Sequence, residues 1–136
     1  MKITYEKSNN SVLIYIYLRN IDRKDISTIP ALRSDLLLDS YNNWLGIEIF
    51  NIDELKREDN ELSLLNSKYE NIKNEKVEMY KDQLTILFDS SLEIASRIGV
   101  TANLDFNEDG IFGVELIMDN NFGKLEIIEP FLLKNK

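Results

Sequence analysis

Two glutamates and one short acidic run are the residues of this chain whose types and spacing could do chemistry. Glu48, in Gly46-Ile47-Glu48-Ile49, and Glu115, in Gly113-Val114-Glu115-Leu116, occupy matching contexts. Two carboxylates held about 5 to 9.5 Å apart can serve as acid and base, or acid and nucleophile, in glycoside hydrolysis. Each glutamate, however, alternates with apolar neighbours, the pattern of a strand that turns its polar side chains to solvent. Asp105-Phe106-Asn107-Glu108-Asp109-Gly110 spells the first half of a calcium loop. Such a loop closes its oxygen cage with a bidentate Glu at position 12, and here that position is Leu116, with Glu115 one place early. Asp, Asn and Gly are also what a hairpin turn selects, and a turn is the simpler reading.

Ser90, Ser91 and Thr101 lack an activating partner, because the chain has neither histidine nor cysteine. Histidine is the commonest general base near neutral pH, and without thiols there is no disulfide scaffold, thiolate zinc site or cysteine nucleophile. The glycines are isolated, so no phosphate-cradling loop is present. The expectation is a protein that is not an enzyme and carries no metal or other cofactor.

Binding is the remaining class. Lys and Arg total 16 against 24 Asp and Glu, a net charge of -8. The basic pairs Arg23-Lys24 and Lys56-Arg57 sit beside acids that cancel them, so nucleic acid is not an expected partner. An acidic surface steers a basic protein toward it, although the same charge also serves solubility. Trp44, the single tryptophan, stands beside Tyr41 in the polar stretch Asp39 to Asn43. Interface anchors favour Trp and Tyr with a polar rim, which makes Asp39, Tyr41, Trp44 and Glu48 partner-binding candidates. A core role for Trp44 is the competing reading, because its counterpart later in the chain, Ile111, is apolar. Glu54, Glu58, Asp59 and Glu61 form a second candidate surface, or simply a solvated face.

The elements that must position these residues follow from an internal similarity. Leu36, Leu38 and Gly46-Ile47-Glu48-Ile49 match Leu104, Phe106 and Gly113-Val114-Glu115-Leu116, while Ile3-Thr4-Tyr5 with Val12-Leu13-Ile14 matches Val77-Glu78-Met79 with Leu84-Thr85-Ile86. Each half thus reads as hairpin, crossing, hairpin, with one helical turn or an irregular strand at Asp25 to Ile29 and again at Ser90 to Ile98. Leu55, Leu62, Leu65, Tyr69 and Ile72 recur at helical spacing, giving a connecting helix over about 53–75 or a charged linker. The fold expected is α+β: two β-rich repeats, about 1–50 and 77–128, in a mainly antiparallel sheet system joined by that helix. Halves of this size cannot bury enough surface alone, so 1–136 should be one fused domain. No apolar run approaches a membrane span and no secretory leader is evident, so a cytoplasmic protein with no membrane partner is expected.

Met1-Lys2-Ile3-Thr4-Tyr5, then Val12-Leu13-Ile14-Tyr15-Ile16, then Asp39 and Leu45-Gly46-Ile47-Glu48-Ile49-Phe50 resemble a short uncharacterised bacterial family. Its members open M-K-I-x-Y-D, continue A-L-Y-I and close with D-x-D-x-x-G and G-I-E-I-L. The resemblance covers residues 1–50, and a weaker second copy covers about 77–117. Glu6 replaces the family's acid after Tyr, and the turn glycine is present only in the second copy, as Gly110. The resemblance implies a small β-rich fold and carries over no catalytic residue. In general character the chain is also similar to acidic immunity proteins encoded beside bacterial toxins, so the expected function is neutralisation of a basic toxin domain, possibly a nuclease. A structural or regulatory homodimer and a small carboxylate-based hydrolase are the alternatives.

Overall fold

The computed structural model describes residues 1–8, 10–18, 25–52, 75–80, 82–107, 110–119 and 124–134. They form eight strands and one helix: β1 Lys2–Lys7, β2 Ser11–Tyr17, β3 Ser27–Leu38, β4 Trp44–Ile49, β5 Lys76–Tyr80, β6 Gln83–Leu87, β7 Ser96–Asn107, β8 Gly110–Asp119 and α1 Lys124–Lys134. All the strands belong to a single sheet of order β1-β2-β8-β7-β3-β4-β6-β5, and every neighbouring pair is antiparallel. The order reads the same when β1–β4 exchange places with β5–β8, about an axis between β3 and β7.

Period-two alternation makes the strands and decides which face is buried. Val12, Ile14 and Ile16 of β2, Leu84 and Ile86 of β6, and Val114 and Leu116 of β8 are buried, while the residues between them are more exposed or packed on the other face. Their side chains form one core with Leu36, Leu38, Ile47, Ile49 and Leu104. The sheet is curled so that the starts of its two edge strands meet, and the Met1 amino group lies 2.9 Å from Glu75 Oε2. Helix α1 packs against β1, β4 and β8, with Ile128 fully buried and Phe131 stacked on Phe88 at 4.5 Å between ring centroids.

Several expectations meet the structure differently. The predicted connecting helix at 53–75 lies outside the described residues except for Glu75, and the one helix among the described residues follows β8. Pro130 falls inside it, where a missing N–H and ring clash normally argue against helix. Its apolar face against the core outweighs that cost. Ser90 to Ile98 makes no helical turn: Asp89 accepts the Ser91 N–H and the chain then enters β7. Asp25 to Ile29 likewise runs into β3, and the irregularity there is a register shift between Ile29 and Leu32. The match of Val12-Leu13-Ile14 to Leu84-Thr85-Ile86 is two residues out, because Tyr5 pairs with Ile14 as Met79 pairs with Leu84. A two-residue slip leaves every side chain on its own face, which is why the alternation could not reveal it. Among the described residues no helix is long and apolar enough to cross a membrane.

Candidate functional site

Of the sequence-predicted contact residues, Trp44 is the clearest correction. It is 2% exposed and edge-on to Phe88 and Phe131, and its indole N–H donates to the Gly46 carbonyl at 2.8 Å. It is a core residue whose polar edge is satisfied internally. Glu48 is a second correction: it does not face solvent but is 7% exposed, accepting from Arg97 Nη1 at 2.9 Å and Thr85 Oγ1 at 3.1 Å. Arg97 also reaches Asp35 at 3.4 Å. The Glu48 carboxylate, followed by the lesser pull of Asp35, raises the Arg97 guanidinium above its ordinary pKa against the opposing effect of burial.

Asp39 is buried and holds the β3–β4 turn. Its Oδ1 accepts the backbone N–H groups of Tyr41 and Asn43, both at 2.9 Å, and Asn42 takes the positive φ of 63° that the turn requires. The Asn43 N–H, and after it the Tyr41 N–H, hold the Asp39 carboxyl below its usual pKa although burial pushes the other way. Among the candidates that are described, only Tyr41, 84% exposed, keeps the character of a contact residue. Glu54, Glu58, Asp59 and Glu61 lie outside the described residues.

The hydrolase geometry fails on the sheet register. Glu48 pairs with Asp35 and thence with Gly99, whereas Glu115 pairs with Asn103 on the same strand β7. Three strand spacings of about 4.8 Å and an offset of four residues at about 3.4 Å separate the two glutamates by about 20 Å. They cannot flank one scissile bond.

A different site emerges on the outer face of β1, β2, β8 and β7. Two rows of residues run across it. Thr4, Tyr15, Glu115 and Asn103 form one, and Lys2, Tyr17, Gly113, Asp105 and Thr28 the next. At Gly113 any Cβ would run into the Tyr15 ring, so the missing side chain lets Tyr15 lie across to the second row. There its hydroxyl donates to Asp105 Oδ2 at 2.6 Å, and Thr28 donates to Oδ1. Pro30 and Ala31 supply the other support. Pro30 cannot donate to the ladder, the chain bulges, and Ala31 takes a positive φ of 55°. The Ala31 N–H is accepted by Asn103 Oδ1 at 2.9 Å, and the Asn103 amide in turn donates to Glu115 Oε1 at 2.9 Å. Asp105 is therefore a strand residue whose carboxylate is held by two hydroxyls, and positions 108–109 between β7 and β8 lie outside the described residues.

The result is an open cavity of about 430 Å³ lined by Tyr15, Tyr17, Phe112, Glu6, Asp105 and Glu115, among others. That volume lies in the usual range of small binding pockets. None of these three carboxylates has an ion-pair partner among the described residues. Lys2 stands over the Tyr17 ring, 5.9 Å from its centroid, and does not line the cavity. Sequence reasoning weighed Asp105 as a calcium ligand and Glu115 as a catalytic partner, and passed over Tyr15 and Tyr17 as strand residues. The signal that could have found the site was the alternation itself, which places Leu13, Tyr15 and Tyr17 on the face opposite the core. Comparison of the chain with protein families, with curated proteins and with solved structures finds no match.

Proposed function

We propose that this is a non-catalytic protein that binds a basic protein partner, most concretely an immunity protein that neutralises a bacterial toxin domain in the cytoplasm. The observation that carries the reading is the outer-face cavity, where Glu6, Asp105 and Glu115 line the same opening as the rings of Tyr15, Tyr17 and Phe112 and have no ion-pair partner among the described residues. Carboxylates beside apolar rings offer a basic side chain both charge and contact area. The wide separation of Glu48 and Glu115, and the neutralisation of Glu48 by Arg97, weigh against the hydrolase alternative.

Duplication of a β-rich module of the short bacterial family remains part of the proposal. The strand order supports it, as do Gly46 and Gly113, which stand at corresponding places beside β6 and β2. The function is tested by co-expression with the product of the adjacent toxin gene, followed by binding kinetics across a salt series. A complex should form and protect the cell, and association should slow as salt screens charges beyond roughly 8 to 10 Å. Glu6→Lys with Glu115→Lys should slow it further. Self-association without protection would instead favour the homodimer.

A further inference from the structure

The sheet order forces two loops together at one end of the molecule. In the run β7-β3-β4-β6 the strands β6 and β7 flank the β3–β4 hairpin, so the connection 88–95 has to cross its end and pass the turn 39–43. It is tied there on both sides. The Phe88 N–H donates to the Leu45 carbonyl at 2.9 Å, and the Ala95 N–H donates to the Leu38 carbonyl at 2.8 Å. Each loop also begins with an aspartate that fixes its shape. Asp39 Oδ1 accepts the Tyr41 and Asn43 N–H groups, and Asp89 Oδ1 accepts the Ser91 N–H at 3.0 Å and the Ser91 hydroxyl. Trp44 and Phe88, both buried and edge to face at 4.8 Å between centroids, anchor the base.

What this base carries is apolar. Six large hydrophobic side chains are exposed among the described residues, and three of them, Tyr41, Leu92 and Ile94, lie in these two loops. The stretches 38–44 and 87–96 contain Asp39, Asp89 and Glu93 and no Lys or Arg. Arg97, the next residue, is bound by Glu48 and Asp35. Exposed apolar side chains within polar surroundings mark interaction sites, and loops held by a rigid scaffold are where binding residues concentrate.

We propose that this end of the sheet, through Tyr41, Leu92 and Ile94 with the exposed Glu93 between the last two, docks a protein whose contact patch is apolar at its centre and basic around it. The proposal rests on the reading of the chain as a binder of a basic protein, and it gives such a partner a surface separate from the outer-face cavity. Along β7, Ser96 at this end and Asp105 at the cavity are nine residues apart, about 30 Å at about 3.4 Å each. Tyr41 offers a large amphipathic anchor, and the acids select a basic rim. A second copy of the chain is a poorer occupant, because a symmetric contact would set the acids of each copy against those of the other. Both loops are already hydrogen-bonded in place, so little ordering cost falls on binding.

The test uses the full chain and three blocked tetrapeptides, acetyl-Lys-Leu-Phe-Lys-amide and its Glu-Leu-Phe-Glu and Lys-Ser-Ser-Lys equivalents, followed by amide NMR shifts. The first peptide should saturably move the signals of residues 40–43 and 89–95, and the other two should bind severalfold more weakly. Tyr41→Ser and Leu92→Ser, at exposed positions, should keep the parent's denaturant midpoint and weaken the first peptide severalfold. Glu93→Lys should weaken it too and strengthen the Glu peptide, which carries the test should a serine variant fail to fold. Equal response to the three peptides, shifts confined to other residues, or binding undiminished by these variants would overturn the proposal. A concentration-dependent dimer of the chain that Tyr41→Ser disperses would also overturn it. Binding of the first peptide at this end without any toxin complex would retire the immunity reading alone. A toxin complex unaffected by Tyr41→Ser and Leu92→Ser would retire this surface alone.

Discussion

Asp39 shows how an acidic residue in a small protein can be structural rather than available to a partner. Its carboxylate accepts two backbone N–H groups and, more weakly, the Asn43 side chain at 3.4 Å, closing a turn that would otherwise leave donors unsatisfied. Because the folded state holds this carboxyl below its usual pKa, it favours folding fully above the ordinary carboxylate range, and the contribution is lost as pH falls through the lowered value. Asp39→Asn keeps an acceptor oxygen but no charge. It should cost about 1 to 2 kcal/mol at neutral pH, and the gap from the parent should close in acid. Urea titrations at neutral and acidic pH measure that gap, and a constant difference would mean the charge is not what holds the turn. Trp44 makes the same point for an aromatic residue, since its ring is consumed by Phe88 and Phe131.

At the scale of strands, two glycines at corresponding places do different work. A Cβ at Gly46 would meet the backbone carbonyl of Ile86 on the neighbouring strand β6, whereas at Gly113 the nearest atoms it would meet are those of the Tyr15 side chain. Backbone cannot give way without parting β4 from β6, while a ring can rotate aside. Gly46→Ala should therefore destabilise the sheet by about 3 kcal/mol or more, and Gly113→Ala by about 1 kcal/mol. The second change should also release Tyr15 from Asp105 and reshape the cavity. Denaturant midpoints for the two variants, with the Tyr15 ring signals followed by NMR, check both halves of this expectation. Equal costs would place the constraint in strand propensity instead of in what lies opposite each glycine.

The whole molecule is interleaved. The contacts β2–β8, β3–β7 and β4–β6 all join the first half of the chain to the second, and the hairpins β1–β2 and β3–β4 are never neighbours. If the chain is one fused domain, as expected, neither half should assemble its share of the core alone. Fragments 1–60 and 61–136 should each be unfolded in isolation and recover the sheet when mixed, as read by far-ultraviolet circular dichroism. A fragment that folds by itself as a monomer would show that half to be an independent unit. Because closure depends on contacts distant in sequence, folding should also be slow for a chain of this length.

By itself the sequence determined the β-rich character and the lack of histidine and cysteine chemistry. These are carried by composition and by period-two alternation, which are local properties. It could not tell the two faces' fates apart. Alternation assigns Glu48 to the non-core side of β4, yet whether that side meets water depends on Arg97, which lies two strands away and 49 residues later. The same holds for Trp44, whose polar surroundings in sequence suggested a surface anchor until Phe88 and Phe131 closed over it. The candidate site is of this kind too. Tyr15, Thr28, Asp105 and Glu115 come from four different strands, and only the register of β2, β8, β7 and β3 places them together.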